Sequence, residues 1–407
     1  MLSRRDFLGR SAAGLSFVSL SGAVPGLFAR AAGAAVEADR NDHVLVVVEL
    51  AGGNDGLNTV VPFENDLYFK NRPTLGVPKD QVHKLSDQIG LNPNMAAAAE
   101  LFKSGKLAVV QGVGYPEPNR SHFRSMEIWH TASTSTKVPL SGWLGRLLDE
   151  EFKPGDEEKV RGLAFSGNLP QAFQAEKLSV SVIQQLEQFA AAPGEGPGKN
   201  KLLRKLSTAP GAKAAPVDFL RRQADTVYRT AERLRDAAAK YKSDVMYPGE
   251  LGAQFRRAAQ IISADLGVRL FFVSQGGYDT HSNQAAGHPA LLGELSGSLA
   301  AFQRDLEGLK VADKVVVMVF SEFGRRVDEN GSKGTDHGSG SIMLLAGSKV
   351  KGGLAGSYPD LEKLGDGDLI HTVDFRSVYS TVLDKWLGCP AEKLLGQKFP
   401  VIDLLAT

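Results

Sequence analysis

Asp279 and His281 stand two positions apart in "GGYDTHSN" (276–283), directly after the apolar run "VRLFFVSQ". In an extended segment such residues share a face, about 6.6 Å apart along the chain. A carboxylate and an imidazole so placed could converge on one divalent ion, which accepts both donor types at about 2.0–2.2 Å. The plainer account is a loop closed by an Asp–His hydrogen bond. Glu322 follows the apolar run 315–320. A carboxylate there is costly unless it is paired, solvated or bound to metal. Its local partners would be Arg325 or Arg326, three and four residues on. His337 lies in "GTDHGSGS" (334–341), a loop too rich in glycine to be held by its own packing. A metal could order it, with Asp336 orienting the imidazole; otherwise it is a flexible loop with an incidental histidine. Asp55, in "GGNDGLN" (52–58), follows a strand and two glycines and is either a ligand or the hub of an Asx turn.

Ser121, in "NRSHF" (119–123), sits at the predicted start of a helix. Serine is a good N-cap there. It could instead act as a nucleophile, because the helix dipole and free amides favour an alkoxide and an anionic substrate. Asn119, Arg120, His122 and Arg124 would surround it with donors. His43, His83, His130 and His288 have no clustered partners and read as structural. His371 caps or lines the site, and Asp374 reads as the N-cap of the last helix.

These residues must be positioned by strands and helices. "HVLVVVEL", "LAVVQGVG", "VRGLAFSG", "KLSVSVI", 268–274, 314–320 and 341–347 read as strands. Helices are expected in "NMAAAAELFKSGK", "SHFRSMEIWHTAS", 217–241, 250–265, 287–309 and "DFRSVYSTVLDKWLG". Alternation of strands and helices predicts an α/β fold with a mainly parallel sheet sandwiched by helices. The strands are continuously apolar, as suits burial on both faces. The polar clusters lie beside core strands, mostly after their carboxyl ends, where open α/β sheets bind ligands. Residues 191–217 are rich in Ala, Pro, Gly and Lys and read as an irregular stretch opening a helical insertion over about 191–265.

The chain of 407 residues has 43% hydrophobic and 23% charged residues, with a net charge of +1. Nothing in that balance calls for nucleic acid or an acidic membrane surface. A single cysteine, Cys389, excludes an intrachain disulfide. The start "MLSRRDFLGR" is followed by a weakly apolar stretch and by "ARAAGAA". That order describes a cleaved export signal over residues 1–34, and Ser-Arg-Arg-x-Phe-Leu marks the twin-arginine type. The expectation is a protein exported folded to the periplasm by the twin-arginine machinery. No later run is long enough for a transmembrane anchor after cleavage.

The segments "ELAGGNDGLNTVVP", "NRSHFRSMEIWHTA", "GGYDTHSNQ", "FSEFGRRVDENGSKGTDHGSGS" and "DFRSVYSTVLDKWLG" together resemble the secreted bacterial family called domain of unknown function 1501. That family is similar in fold and motif order to the alkaline phosphatase and sulfatase superfamily. The resemblance implies an alkaline phosphatase-like domain over 41–407. It also implies a hydrolase of phosphate or sulfate esters, small-molecule or glycan, with one or two divalent ions: zinc, or calcium, magnesium or manganese. Asp279, His281 and His337 would hold one ion, and Asp55 and Glu322 the second, with Ser121 as nucleophile and further ligand. Asn54, His122, Arg124 and Arg325 would bind substrate. The chain departs from the superfamily pattern in two places: one residue, not three, separates Asp279 from His281, and Phe323 stands where a histidine ligand is expected. The alternative is a non-catalytic exported metal- or glycan-binding protein on the same fold.

Overall fold

The apolar run beginning at Val44 forms β1 (Val44–Leu50), buried throughout. The computed structural model describes residues 42–153, 160–176, 181–182 and 239–406. The predicted leader, residues 191–238 of the predicted insertion, and most of "KLSVSVI" lie outside the described residues. The other strands of the main sheet are β2 (Leu107–Gly114), β3 (Gly162–Phe165), β4 (Ser181–Val182), β5 (Leu270–Gln275), β6 (Val315–Phe320), β7 (Ser341–Ala346), β8 (Gly353–Gly356) and β9 (Val373–Asp374). Their order across the sheet is β8-β2-β7-β6-β1-β5-β3-β4, with β9 also beside β2.

The sheet is mainly parallel, as expected, with β7 antiparallel to both neighbours. The chain leaves β6 and re-enters at the same edge through a loop without a crossover helix, so β7 must run back. That loop carries Glu322 and His337.

β1 alternates its side chains between two layers. Val44, Val46 and Val48 pack with Leu251 and Phe255 of α4 (Gly249–Ser263), Leu292 and Phe302 of α5 (Gln284–Gly308), and Leu101 of α1 (Ala96–Lys103). Leu45 and Val47 pack on the other face with Trp129 of α2 (His122–Thr131), Trp143 of α3 (Trp143–Glu151) and Tyr379 of α6 (Phe375–Thr381). Each fully buried Val, Leu or Phe contributes roughly 1.5–3 kcal/mol, so this three-layer core supplies the rigidity that the edge loops lack. The described end of the predicted insertion, α4, belongs to this core. Among the described residues, no helix is long and apolar enough to cross a membrane.

Candidate metal centre

Strand register brings the polar clusters together. Leu50 at the end of β1 lies beside Gln275 at the end of β5, and Glu49 beside Phe320 at the end of β6. The loops beginning at Ala51, Gly276 and Ser321 therefore leave the same edge. Ser341, which starts β7, lies opposite Val113 near the end of β2. The His337 loop and the start of α2 thus join that edge from the other side. Two close approaches require glycine. Gly52 has φ +119°, and a Cβ there would lie 2.4 Å from the Asp279 amide nitrogen. A Cβ at Gly334 would lie 2.2 Å from the His281 carbonyl carbon.

Three imidazoles meet at Asp279. His281 Nε2 and His337 Nε2 each lie 3.1 Å from Asp279 Oδ1, and His122 Nε2 lies 3.5 Å from Oδ2. One ligand atom each from His122, Asp279 and His337 falls within 4.8 Å of the others. His281 Nε2 is 2.9 Å from His337 Nε2. The opposite ring nitrogens fix the tautomers. His122 Nδ1 faces Glu322 Oε1 at 2.9 Å, His281 Nδ1 faces Asp336 Oδ1 at 2.8 Å, and His337 Nδ1 faces the Arg120 carbonyl at 2.8 Å. A carbonyl or ionised carboxylate only accepts, so each Nδ1 carries a proton, and each Nε2 is left facing Asp279, where a proton or a metal ion can bridge the two. The donor set of three imidazole nitrogens and one carboxylate fits a divalent transition ion.

The loops supply the support. Arg325, 2% exposed, donates to the carbonyls of Gly53 (2.7 Å), Tyr278 (2.9 Å), Thr335 (2.8 Å) and Gly52, and to Asp279 Oδ1 at 2.7 Å. Partial burial opposes ionisation of Asp279, but the bonds from Arg325 and His337 outweigh it and hold the carboxyl at about 2. Hydrogen bonds from His281 and then Asn330 also lower the Asp336 carboxyl. Phe323 ligates nothing. Its ring packs 4.9 Å from that of His122 and 4.7 Å from that of His337, which limits how either can turn.

Ser121 is exposed at the N-cap of α2, between Arg120, which holds His337, and His122. Its hydroxyl makes no capping hydrogen bond. Its sequence neighbours Arg120 and His122 both touch the cluster.

Several predicted residues are placed otherwise. Asp55 does not join the cluster. It is 1% exposed, and its carboxylate accepts from Arg72 Nη1 at 2.5 Å, Gln284 Nε2 at 2.5 Å and the Asn58 amide at 3.2 Å. Burial raises its pKa, yet the Arg72 charge and the hydrogen bonds from Arg72 and Gln284 more than compensate, so it stays ionised. Glu322 touches the cluster only through His122. Its Oε1 also accepts from the Gly52 amide at 2.8 Å, and its Oε2 from Ser321 Oγ at 3.1 Å. A second ion between Asp55 and Glu322 is thus not assembled. Asn54 is buried, bonded to Thr59 and facing His288 and Ser321. Arg124 is engaged by Glu127 and by the carbonyls of Thr134 and Ser135, and Arg325 by its five acceptors, so neither offers a free guanidinium to substrate. The structural histidines have clear partners: His43 stacks on Trp386, His83 faces the Pro93 carbonyl and His130 faces Glu49. The sequence reading missed His122 as a ligand; the available signal was its position beside Ser121 at a helix start. It also missed Arg72 and Gln284 as the partners of Asp55.

No curated protein matches the chain. Similar solved structures include PsFucS1 sulfatase from Pseudoalteromonas sp., 12% identical, covering 89% of this chain and 70% of that one at a TM-score of 0.40. Another is the lipoteichoic acid synthase LtaP from Listeria monocytogenes, 9% identical, covering 90% and 75% at 0.36. A third is the C-terminal periplasmic domain of EcEptC from Escherichia coli in complex with Zn, 13% identical, covering 76% and 74% at 0.34. The profile described as "Protein of unknown function (DUF1501)" matches residues 42–397, and the chain belongs to that family.

Proposed function

We propose that this protein is an exported metal-dependent hydrolase of phosphate or sulfate esters, with one ion held by His122, His281, His337 and Asp279. The observation that carries the reading is the convergence of three Nε2 atoms, each ring anchored through Nδ1, on one ionised carboxylate. Imidazole-rich donors favour zinc and its neighbours over calcium and magnesium, which prefer oxygen. A bound divalent ion would polarise the ester and lower the pKa of a coordinated hydroxyl. The chain's own residues do the rest. Glu322 and Asp336 hold two imidazoles in register. Arg325 holds Asp279 in place and ionised. Ser121 offers its hydroxyl at the amino end of α2, where the helix dipole stabilises negative charge. Attack by Ser121 Oγ would form the ester bond to phosphorus or sulfur as the leaving alcohol departs, and water would then release phosphate or sulfate.

Export follows from the leader: Ser-Arg-Arg-x-Phe-Leu supports the twin-arginine route and a periplasmic location, with metal loaded before passage. Replacing Arg4 and Arg5 with lysine is expected to leave the protein in the cytoplasm, as fractionation would register. The second reading, a metal- or glycan-binding protein without turnover, is favoured by one observation: Arg124 and Arg325 are both engaged elsewhere. One experiment separates the two. The zinc-loaded protein and its Ser121→Ala variant are assayed on aryl phosphates and sulfates. Turnover lost in the variant supports the hydrolase; full loading without turnover in the parent supports the binder.

A further inference from the structure

We infer that Gln284 is a positioning residue that ties the two ligand-bearing loops to the buried Asp55. The inference rests on the reading that the imidazole cluster binds a metal. Gln284 opens α5 and is 1% exposed. Its Oε1 accepts from Thr280 Oγ1 at 2.9 Å and from Thr335 Oγ1 at 2.6 Å. Its Nε2 donates to Asp55 Oδ2 at 2.5 Å. The amide orientation is forced, because a carboxylate accepts and cannot donate; Nε2 must face Asp55 and Oε1 must face the two hydroxyls.

The three partners sit at informative places. Thr280 lies between Asp279 and His281. Thr335 lies two residues before His337. Asp55 is locked by Arg72 and caps the turn Gly56–Thr59. The backbones of the two loops are already joined: the Thr335 amide donates to the Thr280 carbonyl at 3.1 Å, and the Gln284 amide to the Lys333 carbonyl at 2.9 Å. Gln284 connects that joined pair to the loop after β1. Asp279 and His281 are themselves about half exposed, with 46% and 44% of their side-chain surface open. Their own packing is thin, so beyond the bonds to Arg325 and Asp336 their spacing depends on the loop backbone that carries them. A binding constellation of this kind needs its groups held within about 0.5 Å. Asp55, Gln284 and the two threonines supply that control without touching the ion.

The test uses the full mature protein and zinc. Thr335→Val keeps the side-chain shape and removes the hydroxyl, and Thr335→Ser keeps the hydroxyl; Gln284→Ala removes the whole link. Zinc affinity is read by competition with a chromophoric chelator. Amide hydrogen exchange over 278–284 and 332–338 is read on the metal-free protein, with its unfolding midpoint as control. Direct hydrogen-bond partners of metal ligands typically matter by about 10–100-fold in affinity, and Gln284 and Thr335, one bond further out, by about 2–10-fold. Thr335→Val and Gln284→Ala are expected to weaken zinc binding within the latter range and to speed exchange in both loops, while Thr335→Ser restores the parent behaviour. Parent-like zinc affinity and exchange in Thr335→Val and Gln284→Ala would overturn the inference. If the parent itself binds no zinc, the metal reading fails by itself. Exchange in the metal-free variants then decides the tie: faster supports it, unchanged overturns it.

Discussion

His281 and His337 present their Nε2 atoms to each other at 2.9 Å while each ring's Nδ1 faces an oxygen acceptor. With both Nδ1 positions committed to acceptors, two Nε2 atoms at this separation cannot both be bare. A positive charge, a proton or a metal ion, must lie between them. Asp279, ionised down to about pH 2, adds negative charge at the same point and strengthens the attraction for a cation.

The groups that anchor the rings should therefore tune metal affinity without being ligands. Glu322→Gln and Asp336→Asn are each expected to weaken zinc binding by about 10–100-fold, because they remove the carboxylate that orients His122 or His281. Chelator competition measures it. A Glu322→Gln variant that loses zinc altogether would make Glu322 a ligand.

Asp55 should behave as a stability residue. Its partner Arg72 has no exposed side-chain surface. Asp55→Asn leaves that guanidinium buried against a neutral group, and breaking a buried pair from one side costs about 3–5 kcal/mol. Urea unfolding of the metal-free protein is the check. Unchanged stability with lost zinc would instead place Asp55 among the ligands.

The contrast between Asp55 and Glu322 on one side and Asp279 on the other marks what the sequence can convey. All three follow apolar strands, and that placement correctly brings them to one sheet edge. Which carboxylate meets a cation from its own chain is decided by residues the local pattern does not point to. Arg72 reaches Asp55 from just past the short helix Asp66–Asn71, seventeen residues on, and Gln284 from the start of α5. The β-branched runs were legible because continuous apolar character suits burial on both faces. The reversed direction of Ser341–Ala346 was not, since alternation and composition are the same for either direction. His122 reads equally well as a donor beside Ser121 or as a ligand; the fold of α2 against Glu322 makes the choice.

Ser121→Ala should separate chemistry from structure. Since the hydroxyl makes no cap bond, the substitution is expected to cost well under the ~1 kcal/mol of a lost serine cap. Zinc content should not change, and ester turnover should fall to background. A stability loss of full cap size, found with undiminished turnover, would return Ser121 to a capping role.

Acid should weaken the fold through His288. Burial drives its pKa from 6.5 to about 4, so the folded ring stays neutral where the unfolded ring takes up a proton. Between pH 6.5 and 4 the unfolded state binds more protons. This contribution is therefore fully present above pH 6.5 and is lost as pH falls toward 4. The slope approaches about 1.4 kcal/mol per pH unit. Urea unfolding across that window should flatten in His288→Gln; the same slope in the variant would assign the acid sensitivity to other groups.

X-ray absorption on the zinc-loaded mature protein, with the metal counted per chain, addresses the centre itself. The expected result is one ion per chain with three imidazole nitrogens and one carboxylate oxygen at about 2.0–2.2 Å. Fewer than three imidazoles at the ion, or no retained ion after gel filtration, would contradict the assignment of His122, His281, His337 and Asp279.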